Sequence, residues 1–202
     1  MRTSIISPAY LCGTQKIRNI SANPLTEKPM AGSITDRMRG AAMLDVATYE
    51  EVEADTTATG QAAIVVGIVA ICAAIGGIRE GSSGVIAGVL GAFISWMVWA
   101  GVTFVVGEKM FGGTATWGEL LRTLGFAQAP GVLYLLGIIP VLGTLVQFAV
   151  AIWIMVAGVI AIRQALDFTT GKAVITAIVA FLAMLVVGAI MAAIFGLGRA
   201  MF

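Results

Sequence analysis

The residues able to do chemistry fall into three groups. The run Tyr49-Glu50-Glu51-Val52-Glu53-Ala54-Asp55 gathers four carboxylates in six positions, directly before a long uncharged stretch. At that density carboxylates can dock a basic partner or attract a divalent cation, or they can form the solvated face of a connecting helix. An EF-hand is excluded, because D-x-[DN]-x-[DN]-G does not occur. The second group is Glu119 with Arg122, one helical turn apart, and Arg163 with Asp167 at i, i+4, where a pair can form along a helix. Together these four can build an ionic layer around one mouth of a helical bundle. The third is Gln128 beside Pro130, where proline frees a backbone carbonyl that an amide could bond. Catalytic combinations are missing. The chain has no histidine, which removes His bases, His triads and His metal ligands. Cys12 and Cys72 are sixty residues apart and form no CxxC or zinc pattern. GxxxxGK[ST], GxGxxG and GxSxG are absent. The expectation is a non-enzyme with no catalytic residue, cofactor or bound metal, and no nucleic-acid partner.

The elements that must position these groups follow from composition. Of 202 residues, 59% are apolar and 11% are charged, where a soluble domain carries about 25% charge. Such a chain belongs in lipid. The intervals between charges mark its crossings. Asp55 to Arg79 encloses 23 uncharged residues, Glu80 to Glu108 encloses 27, Arg122 to Arg163 encloses 40, and Lys172 to Arg199 encloses 26. A crossing needs about 20 predominantly apolar residues, so the long interval has room for two helices. The fold class expected is all-α: a polytopic membrane protein with a five-helix transmembrane bundle over 58–202. The helices are placed near 61–78, 84–107, 118–138, 141–163 and 173–196. Gly137-Ile-Ile-Pro140-Val-Leu-Gly143 supplies the turn inside the double interval. Thr116-Trp-Gly-Glu119 fits a capping box at the start of the third span. That span is expected to kink at Pro130; a surface helix followed by a re-entrant half-helix is the alternative.

Residues 1–33, with Pro8, Pro24 and Pro29 and no sustained period, are expected to be a disordered tail, and the functional start lies at Met1, Met30 or Met38. Residues 34–57 are expected to form one amphipathic juxtamembrane helix, with Ile34, Met38, Ala41, Ala42, Val46, Tyr49 and Val52 on one face. It would lie in the cytoplasmic interface. Lys and Arg favour the cytoplasmic side, which places the N-terminus inside and, with five crossings, the C-terminus outside. Gly84-Val-Ile-Ala-Gly88, extended by Gly91, is read as small-residue packing within the bundle.

The order of these motifs resembles that of a known family. Leu44-Asp45 with Tyr49-Glu-Glu-Val-Glu-Ala-Asp55-Thr-Thr-Ala-Thr-Gly-Gln61, then Thr116-Trp-Gly-Glu-Leu-Leu-Arg122-Thr-Leu-Gly-Phe-Ala-Gln-Ala-Pro130, Gly137-Ile-Ile-Pro-Val-Leu-Gly143 and Arg163-Gln-Ala-Leu-Asp167-Phe-Thr-Thr-Gly171, resembles bacterial members of the Yip-domain family over roughly residues 38–196. The resemblance implies a five-span helical bundle with a cytoplasmic N-terminus. Eukaryotic relatives are tied to Rab GTPases and vesicle traffic, but their acidic Asp-Leu-Tyr-Gly-Pro motif is not in this sequence. Fold and topology are therefore what the resemblance carries.

The functional expectation is a membrane scaffold or accessory protein of a bacterial cytoplasmic membrane. It would contact lipid and an unidentified protein partner through Tyr49, Glu50, Glu51, Glu53 and Asp55 and through the Glu119, Arg122, Arg163 and Asp167 layer. A small-solute transporter or channel using the kink is one alternative. An accessory subunit of a larger, energy-transducing membrane complex is another.

Overall fold

The computed structural model describes residues 32–77, 85–140 and 142–200, and the chain divides into two units, Met1–Ser33 and Ile34–Phe202. The expected disordered tail therefore lies outside the described residues, as does Cys12. The described residues form seven α-helices and one 3₁₀ helix: α1 (Ile34–Ala42), α2 (Val46–Ala54), α3 (Ala58–Gly76), α4 (Val85–Phe111), α5 (Trp117–Ala127), the 3₁₀ helix (Ala129–Ile138), α6 (Leu142–Ala165) and α7 (Thr170–Ala200). Three of them, α3, α4 over Gly88–Phe111, and α6, are long and apolar enough to cross a membrane, and Thr170–Val186 of α7 is a shorter apolar stretch. Large apolar side chains such as Ile86, Leu145, Phe148 and Leu182 stay exposed on the outside of the bundle, the arrangement of a helix set solvated by lipid.

Two stretches differ from the single helices the sequence suggests. Residues 34–57 form a helical hairpin. The chain turns at Met43–Asp45, with Leu44 at φ 63°, and the Asp45 N–H bonds to the Gly40 carbonyl at 3.0 Å. Tyr49 Oη donates to the Ala41 carbonyl (3.1 Å) and fastens α2 to α1. The hairpin packs on α5, α6 and the 3₁₀ helix. Trp153, near the middle of α6, donates its indole N–H to the Ala42 carbonyl at 2.9 Å, satisfying one of the carbonyls that a helix end leaves free.

The second is the expected kinked span over 118–138. Here α5 stops at Ala127 and the chain continues as ten residues of 3₁₀ helix, with Pro130 at its start. Pro130 has no N–H for an α-helical bond, and the Gly131 N–H bonds instead to the Gln128 carbonyl at 2.8 Å. This helix is held by close backbone contact: a Cβ on Gly76 of α3 would fall on the Tyr134 carbonyl oxygen. The start of α5 is the capping box, with the Glu119 N–H on Thr116 Oγ1 (3.3 Å) and the Thr116 N–H on Glu119 Oε2 (2.7 Å).

Burial is concentrated where the hairpin meets the bundle. Val52, Ala62, Val65, Leu120, Leu124, Phe126, Ala161 and Ile162 form its core. Gly88 and Gly91, by contrast, have open space where a Cβ would lie, so the described part of that small-residue stripe does not pack within the bundle.

Candidate functional site

Two of the charged groups, far apart in sequence, come together at one end of the bundle. The end of α2 and the following turn contribute Glu50, Glu53, Ala54 and Thr56; α5 contributes Glu119 and Arg122; the end of α6 contributes Gln164 and Asp167. They line one polar cleft of about 370 Å³. The capping box fixes where α5 begins, and that places Arg122 one turn in. Buried beneath α2, Arg122 donates Nε to the Val52 carbonyl (3.2 Å) and Nη2 to the Glu53 carbonyl (2.5 Å). These are carbonyls from the last turn of α2, which a helix end leaves without intrahelical partners. The guanidinium thus serves as a C-terminal clamp for α2 and closes the floor of the cleft.

The cleft is electrostatically unbalanced. Four carboxylates face one guanidinium that is already committed to backbone oxygens. Glu53 registers this: burial first, then the charges of Glu119, Asp167 and Glu50, push its carboxyl up to about 7, with Arg122 only partly opposing them. Glu50 accepts from the Gln164 amide at 2.9 Å, and Asp167, at φ 53°, accepts from the Thr114 hydroxyl at 3.4 Å. Among the described residues no three His, Cys, Asp or Glu side chains are disposed to hold a metal ion.

The other expected site residues have different placements. Tyr49 is fully buried, with desolvation raising its phenol well above the usual range; it is a core residue of the hairpin and offers no contact surface. Glu51 and Asp55 turn away from the cleft to Arg37 of α1. Arg37 is 1% exposed and reaches Asp55 Oδ2 at 2.6 Å, Glu51 Oε1 at 3.4 Å and Gln61 Oε1 at 2.9 Å. Asp55 Oδ1 also accepts from the Thr57 hydroxyl (2.6 Å) and N–H (2.9 Å). The Thr57 hydroxyl and then Arg37 hold its carboxyl at about 2. Half of the carboxylate run is thus occupied in tying α1 to α2 and α3. Arg163 bonds its neighbour Gln164 (Nε to Oε1, 2.9 Å) rather than Asp167 and borders an adjacent depression at the α6–α7 turn. The ionic layer is gathered in space without the salt bridges its spacing suggests. Gln128 caps α5 and Pro130 is buried behind it; both lie away from the cleft.

Arg37 and Gln164 are functional neighbours that the sequence reading passed over. For Arg37 a signal existed. It falls at i+3 from Ile34 and i−4 from Ala41, inside the apolar stripe rather than beside it. Gln164 carried none beyond its position next to Arg163.

No curated protein and no solved structure matches the chain. The family model described as the Yip1 domain matches residues 45–191, a stretch that begins at the hairpin turn and includes both walls of the acidic cleft. Because the match covers well over half of its length, the chain belongs to the Yip1-domain family.

Proposed function

We propose that this protein is a non-enzymatic scaffold or accessory protein of a bacterial cytoplasmic membrane, and that its acidic cleft receives a basic segment of a partner protein on the cytoplasmic face. The observation that carries this reading is the imbalance of the cleft. Glu50, Glu53, Glu119 and Asp167 share one arginine, which already gives its Nε and one Nη2 donor to backbone carbonyls of α2. A lysine or arginine placed among them would neutralise the repulsion that adds to burial in raising Glu53, and it would gain charge-assisted hydrogen bonds.

In this reading the chain crosses the membrane five times. Besides α3, α4 and α6, the α5 and 3₁₀ pair is long enough. Beyond the cleft residues, five α residues from Thr123 at about 1.5 Å and ten 3₁₀ residues at about 2.0 Å reach roughly 28 Å, close to a hydrocarbon thickness of about 30 Å. The fifth crossing is α7. The bias of Lys and Arg puts the N-terminus and the cleft in the cytoplasm and the C-terminus outside.

The test is photo-crosslinking in native membranes from a benzoylphenylalanine at Thr56, which is exposed on the cleft wall. A discrete crosslinked protein is expected, weakening with salt because charges beyond a Debye length of about 8 Å are screened. It should be lost in the combined Glu53→Gln, Glu119→Gln and Asp167→Asn variant, in which the amide introduced at position 119 still completes the capping box. Retention of the same crosslink in that variant removes the proposal.

A further inference from the structure

A half-open cavity of about 530 Å³ lies between α3, α4, the 3₁₀ helix, α6 and α7, with Phe148 and Phe181 on its exposed rim, and it shares no lining residue with the acidic cleft. It belongs to the apolar segments. Trp99 lies twelve residues before the end of α4, Ile152 lies near the middle of α6, and Phe181 lies eleven residues into α7. No charged residue lines it. Its volume falls in the range of about 300–1,000 Å³ usual for small-molecule sites.

The wall is not uniformly apolar. Ser95, which is exposed, and Gln128 and Tyr134, which are half-buried, line the cavity, and their side chains make no hydrogen bond to another described residue. Trp96 differs, since its indole N–H is committed to the Leu121 carbonyl at 3.1 Å. The position of Gln128 follows from the break in the span: α5 ends at Ala127 and the 3₁₀ helix starts at Ala129, so the amide stands at the junction where the backbone changes pitch. A primary amide offers two donors and an acceptor. Leaving such groups unsatisfied in hydrocarbon is unfavourable, and nothing else in the described bundle answers them. An occupant must therefore bring hydrogen-bonding atoms to Gln128 and apolar substance to the rest of the cavity. It must also be uncharged, because the lining offers no counter-ion.

We propose that this cavity binds one molecule of an uncharged lipid with a hydroxyl-and-ester head, of the diacylglycerol class. The head would lie at Gln128, Ser95 and Tyr134, and an acyl chain would run along Trp99, Ile152 and Phe181. The test uses the full-length protein in phosphatidylcholine nanodiscs and reads tryptophan fluorescence. Diacylglycerol brominated on its acyl chains is expected to quench saturably at a few mole per cent, and brominated phosphatidylcholine at the same mole fraction to quench only weakly and linearly. Gln128→Leu should raise the half-saturating mole fraction at least tenfold while leaving the phosphatidylcholine response unchanged. Ala151→Phe, which fills the cavity from α6, should abolish the saturable component. Gln128→Leu keeps nearly the same side-chain volume, so it decides the matter even where Ala151→Phe fails to fold. Equal, linear quenching by both lipids overturns the proposal, as does saturation that Gln128→Leu leaves in place.

Discussion

Replacing Arg37 with methionine tests how the hairpin is held on the bundle. Methionine keeps an unbranched apolar stem and removes only the guanidinium, which is 1% exposed and bonded to Asp55, Glu51 and Gln61. A buried hydrogen bond to a charged group contributes about 1.5–3 kcal/mol. The carboxylates here are 20% and 26% exposed, so water recovers much of that when the arginine leaves, and each is discounted to about 1 kcal/mol. The Gln61 bond adds about 1 kcal/mol, and relief of the guanidinium's desolvation offsets part of the loss. The expected net destabilisation is about 2–3 kcal/mol. For a chain of this size that lowers the melting midpoint by about 4–12 °C, measured by near-ultraviolet circular dichroism in mild detergent. The pH dependence has a defined sign. The Asp55 carboxyl is held at about 2, below its ordinary 3.8. Its contribution is therefore complete above pH 3.8 and is lost as the pH falls toward 2. In the Arg37→Met variant the Thr57 hydroxyl, the larger cause, remains, so this acid sensitivity shrinks without vanishing. A midpoint within about 1 °C of wild type would refute the reasoning, because the hairpin would then be held by apolar packing and the Trp153 and Arg122 bonds without Arg37.

Thr116→Ala removes the capping-box acceptor and should cost about 1 kcal/mol, a fall of a few degrees in the same melt that Thr116→Ser restores. Two glycine replacements should act in opposite directions. Gly76→Ala sets a methyl on the Tyr134 carbonyl oxygen and should prevent stable accumulation in the membrane, whereas Gly88→Ala meets open space and should stabilise α4 by about 0.5–1 kcal/mol. Because the Glu53 carboxyl is raised in the fold from 4.5 to about 7, stability should decline as the pH rises from 4.5 to 7 and level off above, a slope that Glu53→Gln flattens in pH-dependent melts. Cysteines at Ser33 and Phe202, in a Cys12→Ser and Cys72→Ala background, should label oppositely with an impermeant thiol reagent on intact cells, and equal labelling would contradict an odd number of crossings.

The long elements were legible because lipid imposes a simple requirement. Runs without charge must cross or be buried; the uncharged intervals begin close to where α3, α4 and α7 begin, and the 40-residue interval ends close to where α6 ends. The capping box was equally legible, since Thr116 and Glu119 satisfy each other's backbone within four residues and need nothing distant. Two stretches whose detail differs from single helices depend on tertiary contacts instead. Proline at 130 signalled a departure from the α-helix but not its kind. Ten residues of 3₁₀ helix persist because Gly76 of α3, Gly137 of the 3₁₀ helix and Gly143 at the start of α6 let backbones approach closely, and that contact is invisible along the chain. The hairpin at Met43–Asp45 likewise carries no glycine at its left-handed position. Leu44 adopts φ 63° where propensity favours glycine or asparagine, so local sequence argued for one continuous helix.

The candidate site shows the same division at the level of single side chains. Composition marked the carboxylates of 50–55 as unusual, but it could not divide them, because the division is made by partners on other helices. Glu51 and Asp55 face Arg37, while Glu50 and Glu53 face Glu119, Arg122 and Asp167. Residues one or two apart on a helix do not share a face, so a dense acidic run on a short helix has to serve two surfaces. Here one surface is structural and the other is open. This separation makes the function testable apart from the fold. Neutralising Glu51 or Asp55 leaves the Arg37 charge poorly compensated and should loosen the hairpin. Neutralising Glu53 removes a carboxylate that the fold holds against repulsion, so it should leave stability at neutral pH unchanged or improved while weakening any cation held in the cleft. A carboxylate whose removal helps the protein stand alone, and harms it only in company, is the signature of a residue kept for a partner.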